Sequence, residues 1–207
     1  MRKIIVIAYQ LHYSKGSEFN IAWEYVTHVS KRNQLTVLYG TSGLFHNIGD
    51  TAEMEKWCEN NIVKNVSFIP VHLPFQTKNY DYSLKGQYLF YQEYRKWHEE
   101  CARIVKEMIS KDKYDIIHYH GPTGYREPGI LYSYPLPYVW GPTGGFGGAN
   151  PFLLKACGSF SGAMHMLVKR LLNDVQAFTD KRVRKALKES DVVISCSSEV
   201  ERYIQKL

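Results

Sequence analysis

The pentapeptides HGPTG (120–124) and WGPTG (140–144) place one Gly-Pro-Thr-Gly turn twice in the chain, each time directly after an apolar run. Glycine lets a backbone approach a ligand closely and take positive φ, whereas proline fixes the turn and removes a donor. The second turn runs on as GGFGG, which puts five glycines between Gly141 and Gly148. A loop of that composition can turn its amides toward an anion or a sugar. A plain tight connection satisfies the same residues. Two histidines, His118 and His120, lead into the first turn, and their spacing on a strand sends both side chains to one face. His120 lies nearer the turn and is the candidate ligand contact, with His118 the candidate for a buried, hydrogen-bonded position. A structural histidine fits either place. A metal would need third and fourth ligands, which no C-x-x-C or H-x-x-x-H motif supplies, so no metal site is expected.

A second candidate is the polar loop QLHYSKGSEFN (10–20), with Gly16 and Ser17 just ahead of a helical pattern. Unpaired amides and the positive end of the helix dipole suit a phosphate there. Ser17 or Glu18 acting only as a helix cap is the competing reading. The loop lacks the G-x-G-x-x-G of dinucleotide-binding folds, and no Walker lysine motif occurs. No G-x-S-x-G elbow and no Cys-His pair suggests a nucleophile. Oxidoreductase, P-loop and hydrolase chemistries therefore have no support.

These residues must be held by strands. Six β-rich runs recur along the chain, at 3–9, 35–40, 65–71, 114–120, 136–141 and 190–196, separated by helical stretches. That alternation predicts an α/β fold, Rossmann-like and doubly wound, with a mainly parallel sheet flanked by helices. In such sheets ligands bind beyond the carboxyl ends of the strands, where both Gly-Pro-Thr-Gly turns fall. The segment YREPGILYSYPLPY (125–138) between them has the length for a short crossover helix, which would make the two strands parallel neighbours.

Helices are expected over EFNIAWEYVTHVSKR (18–32), with Ile21, Ala22, Tyr25, Val26 and Val29 on its apolar side, and over about 84–111, as one long helix or a broken pair with Gly86 as a candidate start. The aromatic and basic residues of 83–97 would suit nucleic acid or a membrane interface, but their spacing favours packing on a core. FLLKACGSFSGAMHMLVKRLLNDV (152–175) reads as a further helix, a core element by the same argument, with a mobile flap or a membrane contact as alternatives.

With 207 residues, 44% of them hydrophobic, the chain can bury a sizeable core, and one domain over 1–207 is the economical reading. Four cysteines stand far apart, which suits a reducing cytoplasm better than a disulfide framework. The apolar start IIVIA is too short for a signal peptide, and no run reaches a membrane span. A net charge of +6 favours anionic partners, among them nucleotides, phosphorylated lipids and an acidic membrane face. No recognised nucleic-acid module accompanies that charge, so nucleic acid is not an expected partner.

The stretches KGSEFNIAWEYVTHVSKRNQLTVLYG (15–40), YDIIHYHGPTGYREPGILYSYPLPYVWGPTGG (114–145) and SDVVISCSSEVERYIQKL (190–207) together resemble, in order and spacing, the N-terminal domain of retaining glycosyltransferases of family 4, which have two Rossmann-like domains (the GT-B fold). The resemblance implies an acceptor-binding domain whose Gly16 and Ser17 loop faces the donor diphosphate, with Glu18 setting that loop. It makes His120 the candidate catalytic residue, close to the transferred sugar. It lines the cleft and acceptor side with His118, Thr123, Arg126, Gly141, Thr143, Gly144 and Gly145. The implied reaction is transfer of a sugar from a nucleotide-sugar donor to a saccharide or lipid-linked acceptor, of the kind used in polysaccharide biosynthesis, with no metal or other cofactor.

Gly16-Ser17 stands where many relatives carry a glycine pair, and the family's C-terminal donor half, which carries its Glu-x7-Glu signature, has no counterpart in the order and spacing of these stretches. The chain therefore reads as an acceptor half, inactive alone, whose partner is its own C-terminal donor domain. The expected location is cytoplasmic, with peripheral contact at the inner face of the membrane. A noncatalytic sugar- or nucleotide-binding module, or a subunit completed by another chain, is the alternative.

Overall fold

A computed structural model of the chain describes residues 1–40, 48–72, 84–121, 123–146 and 158–207, and for 48–52 and 84–90 it describes the backbone alone. Six parallel strands form one sheet in the order β3-β2-β1-β4-β5-β6: β1 (Lys3–Ala8), β2 (Gln34–Gly40), β3 (Val66–Val71), β4 (Ile116–Tyr119), β5 (Tyr138–Thr143) and β6 (Val192–Ser195). This is the doubly wound α/β architecture that the sequence predicts. The central strand β1, KIIVIA, is apolar on both sides because both faces of the sheet are covered there.

Its alternate residues feed two cores. Ile4, Val6 and Ala8 pack with Ala22 and Val26 of α1 (Glu18–Val29) and Met54 of α2 (Ile48–Asn60). Ile5 and Ile7 pack on the other face with Tyr94, Trp97, Cys101 and Val105 of α3 (Leu84–Lys111). Those four residues repeat every three or four positions and are all fully buried, so the described part of the aromatic helix spends its rings on the core. Ala177 of α4 (Phe160–Thr179), Val183 and Ala186 of α5 (Lys181–Glu189) and Val200 of α6 (Ser198–Ile204) complete that layer.

Three expectations change. Among its described residues the β4–β5 connection holds no crossover helix, only a single 3-10 turn at Leu131–Ser133. Side-chain anchoring replaces the helix: the buried carboxylate of Glu127 accepts from Arg95 at 2.7 Å and Arg182 at 2.9 Å, and the Tyr119 hydroxyl donates to the Glu127 carbonyl at 2.9 Å. Ile21, assigned to the apolar side of α1, is half exposed at the carboxyl edge of the sheet. The third change is in α4, which turns its apolar residues outward instead of into the core. The first residues of the helical segment 152–175 lie outside the described residues, as do Pro122, Gly147 and Gly148.

The chain reverses its direction of travel across the sheet between β1 and β4. From β1 it moves outward through β2 to β3, then returns through α3 to the far side of β1. Loops leaving β1 and β4 therefore diverge, and a crevice opens between them at the carboxyl edge.

Candidate functional site

Helix α1 starts directly over that crevice. Glu18, Ile21 and Tyr25 stand at i, i+3 and i+7, so all three project from one face of the helix. Ser17 ahead of them has φ 59° and ψ −136° and makes no side-chain cap. This backbone region is nearly confined to glycine, so Ser17 occupies a glycine-type conformation with its side chain in place. The Glu18 carboxylate crosses to the β4–β5 connection, where it accepts from the Thr123 amide at 3.1 Å and also from the Thr123 hydroxyl. One side chain thus ties the start of α1 to the first Gly-Pro-Thr-Gly turn.

The two turns are paired with each other. Strand β4 runs beside β5 with Tyr119 opposite Trp140, and further on Gly124 forms a parallel bridge with Gly144. Between those points the β4 side carries one more residue than the β5 side, so that side bulges from the sheet around His120, Gly121 and Thr123. The Gly144 amide donates to the Thr123 carbonyl at 2.6 Å, and the Tyr125 amide donates to the Gly144 carbonyl at 3.2 Å. Gly141 has φ 137°, and a β-carbon there would run into the Ile194 carbonyl of β6. Its glycine is required by close strand approach as much as by the turn.

The bulge leaves a small recess at the crevice, lined by Gln10, Glu18, Ile21, His120, Gly121, Thr123 and Pro142. His120 is anchored by its own amide, which donates to the Ile7 carbonyl at 2.8 Å, and its ring lies 4.7 Å from that of Tyr25. His118 sits behind it, 5.4 Å away between ring centres, and does not line the recess. Its Nε2 donates to the Gly141 carbonyl at 2.7 Å, which leaves Nδ1 to accept from the Tyr25 hydroxyl at 2.5 Å. Since a carbonyl can only accept, this pair of bonds selects one neutral tautomer. Burial lowers the pKa of both histidines to about 4, and repulsion from His118 adds to the effect at His120. Burial also pushes the Tyr25 hydroxyl up to about 12. All three groups are neutral at pH 7, so His120 can exchange hydrogen bonds with a hydroxyl but brings no charge of its own.

Of the residues singled out in the sequence, the structure gathers Glu18, His120 and Thr123 into the recess, with Gly16 and Ser17 at its α1 side. His118, Gly141 and Thr143 form its buried support. Gly144 and Gly145 continue the paired turns, Gly145 at φ 75°. Arg126 turns away: its guanidinium donates to Gln176 Oε1 at 2.9 Å and to Asn173 Oδ1 on α4, and it lies 5.1 Å from the centre of the Tyr125 ring. Gln10 and Ile21 were missed as lining residues, as was Tyr25 as the partner of His118. The i, i+3, i+7 spacing from Glu18 was the available signal for the last two. Gln10 had none, because its place depends on where β1 ends against β4. Among the described residues no cluster of three or more His, Cys, Asp or Glu side chains could hold a metal ion.

No protein-family model matches the chain, and no curated protein matches it at a significant level.

Proposed function

We propose that the chain is the acceptor-binding domain of a retaining glycosyltransferase that moves a sugar from a nucleotide-sugar donor to a saccharide or lipid-linked acceptor. The observation that supports this reading is the convergence of three features on one recess: the start of α1 at Ser17 and Glu18, the neutral imidazole of His120, and the paired glycine turns. A diphosphate leaving group gains negative charge as its bond to the sugar breaks, and helix-terminal amides stabilise that charge without reorganising. A neutral, anchored His120 holds a sugar hydroxyl in place and exchanges a hydrogen bond with it. Retention of configuration in this scheme calls for no protein nucleophile. A second, donor-binding domain would close over the crevice and exclude water from it.

The test is transfer from a panel of nucleotide sugars by the natural full-length polypeptide, wild type against His120→Ala. The expected result is a loss of at least about a hundredfold in turnover with unchanged thermal stability. Undiminished turnover would place the chemistry elsewhere. Binding of a nucleotide or sugar without transfer by the wild type would favour a noncatalytic binding module.

A further inference from the structure

Helix α4 is amphipathic in the reverse sense. Phe160, Met164, Leu167, Leu171, Val175 and Phe178 repeat at three- and four-residue intervals along one face, and each is between 43% and 81% exposed. The stripe runs about 27 Å along the helix. The opposite face, which packs on the domain, is polar or small. Asn173 and Gln176 accept from Arg126, the Tyr125 hydroxyl donates to the Asn173 carbonyl at 3.1 Å, and the Tyr203 hydroxyl donates to Asp174 at 2.7 Å. Ala177 is fully buried. Directed bonds therefore fix the rotation of the helix, and that rotation holds the apolar side out. Rolling α4 inward would break these bonds to bury the stripe.

The charge beside the stripe identifies what covers it. Asp180 alone separates α4 from α5, whose sequence KRVRKALKE is strongly basic. Residues 158–189 hold seven Lys and Arg against three Asp and Glu. Lys181, Arg184, Lys185 and Lys188 line an open groove with Ile204 of α6. The stripe ends near that groove: the Phe178 ring lies 6.1 Å between centres from Tyr203 of α6, the residue before the groove-lining Ile204. A second copy of the chain would bring the same positive charges together, whereas an anionic lipid surface satisfies the apolar and the basic parts at once.

We infer that α4 and α5 form a docking surface for an anionic bilayer, with α4 lying in the interface, its apolar stripe among the acyl chains and α5 against the phosphate headgroups. Because Asn173 and Gln176 hold Arg126, two residues past Gly124, docking sets the paired turns behind α4, one helix diameter (~10 Å) from the lipid surface. The inference does not depend on the transferase reading, since lipid binding is measured without turnover.

The experiment is co-sedimentation of the 207-residue chain with phosphatidylcholine vesicles, with and without phosphatidylglycerol, at low and high salt. Wild type should bind the anionic vesicles, more weakly as salt rises, and bind pure phosphatidylcholine poorly. Leu167→Asp with Leu171→Asp should cut binding by about tenfold or more at an unchanged melting temperature, since both side chains are already exposed. Lys181→Glu with Lys185→Glu should remove the preference for phosphatidylglycerol. No binding of wild type at low salt overturns the inference. So does full binding by the Leu167 and Leu171 variant, which would reduce the contact to charge alone. A wild-type dimer in sedimentation velocity that this variant dissociates, with no vesicle binding by wild type, would assign the stripe to a second copy.

Discussion

The Tyr25 hydroxyl on α1 donates to His118 Nδ1 on β4 at 2.5 Å, joining residues 93 positions apart in the sequence. Through the opposite ring nitrogen His118 holds the Gly141 carbonyl of β5, so a single imidazole spans three elements around the recess. Tyr25→Phe leaves Nδ1 buried without its donor. The variant should lose about 1–2 kcal/mol of stability in urea unfolding, and His118→Ala should lose more. A Tyr25→Phe protein as stable as wild type would show that the bond contributes nothing net.

Glu18 and Thr123 form the second tie across the crevice. Each of Glu18→Ala and Thr123→Val should weaken ligand binding or transfer, and the double variant should be little worse than either single one. Sub-additivity of about 1 kcal/mol or more in the mutant cycle is the expected signature. Additive effects would mean that the two residues act separately.

At Ser17 the backbone has φ 59° and ψ −136°, where a β-carbon is strained. Ser17→Gly should raise stability by about 1 kcal/mol, read as a shift in the urea midpoint at constant slope. Loss of stability would mean that the serine hydroxyl makes a compensating contact.

The turn glycines differ in what they demand. A β-carbon at Gly141 meets the carbonyl and side chain of Ile194, whereas at Gly124 it meets nothing within 4 Å. Gly141→Ala should cost about 3 kcal/mol or more, or prevent folding, and Gly124→Ala should be nearly neutral. Equal effects at the two sites would contradict the close approach of β5 and β6.

Buried neutral histidines make the fold sensitive to acid. Burial lowers His98 to about 3 and His118 and His120 to about 4, against an unfolded value near 6.5. Between those limits the unfolded chain carries more protons than the folded one. Stability is therefore fully present above about pH 6.5, declines as pH falls through about 4 for His118 and His120 and about 3 for His98, and receives no further loss from these groups once the folded imidazoles titrate. A decrease on the order of a few kcal/mol is expected from urea midpoints across that window, and His98→Gln should flatten part of it. A pH-independent midpoint would contradict the burial of these rings.

All six strands were legible because each is a short apolar run bounded by polar or turn residues, a pattern that burial on both faces imposes on the central strands and that the more exposed edge strands β3 and β6 also keep. His118 and His120 could be placed on one face from the strand period alone. Helix α4 shows where periodicity stops being sufficient. Its pattern marks a stripe of apolar residues but not which side of the helix meets the protein, and polar bonds from Arg126, Tyr125 and Tyr203 decide that in favour of the opposite face.

What the sequence by itself determined is the succession of strands and helices, the α/β class, and the glycine turns and histidines at the strand ends, since each depends on neighbours a few residues away. Only the tertiary structure decided that the two turns pair as Gly124 with Gly144, that Glu18 reaches Thr123, and that Tyr25 rather than Arg126 faces the histidines. Those relations depend on the sheet order and on a one-residue bulge, which are settled by long-range packing and by the need of each buried polar group for a partner.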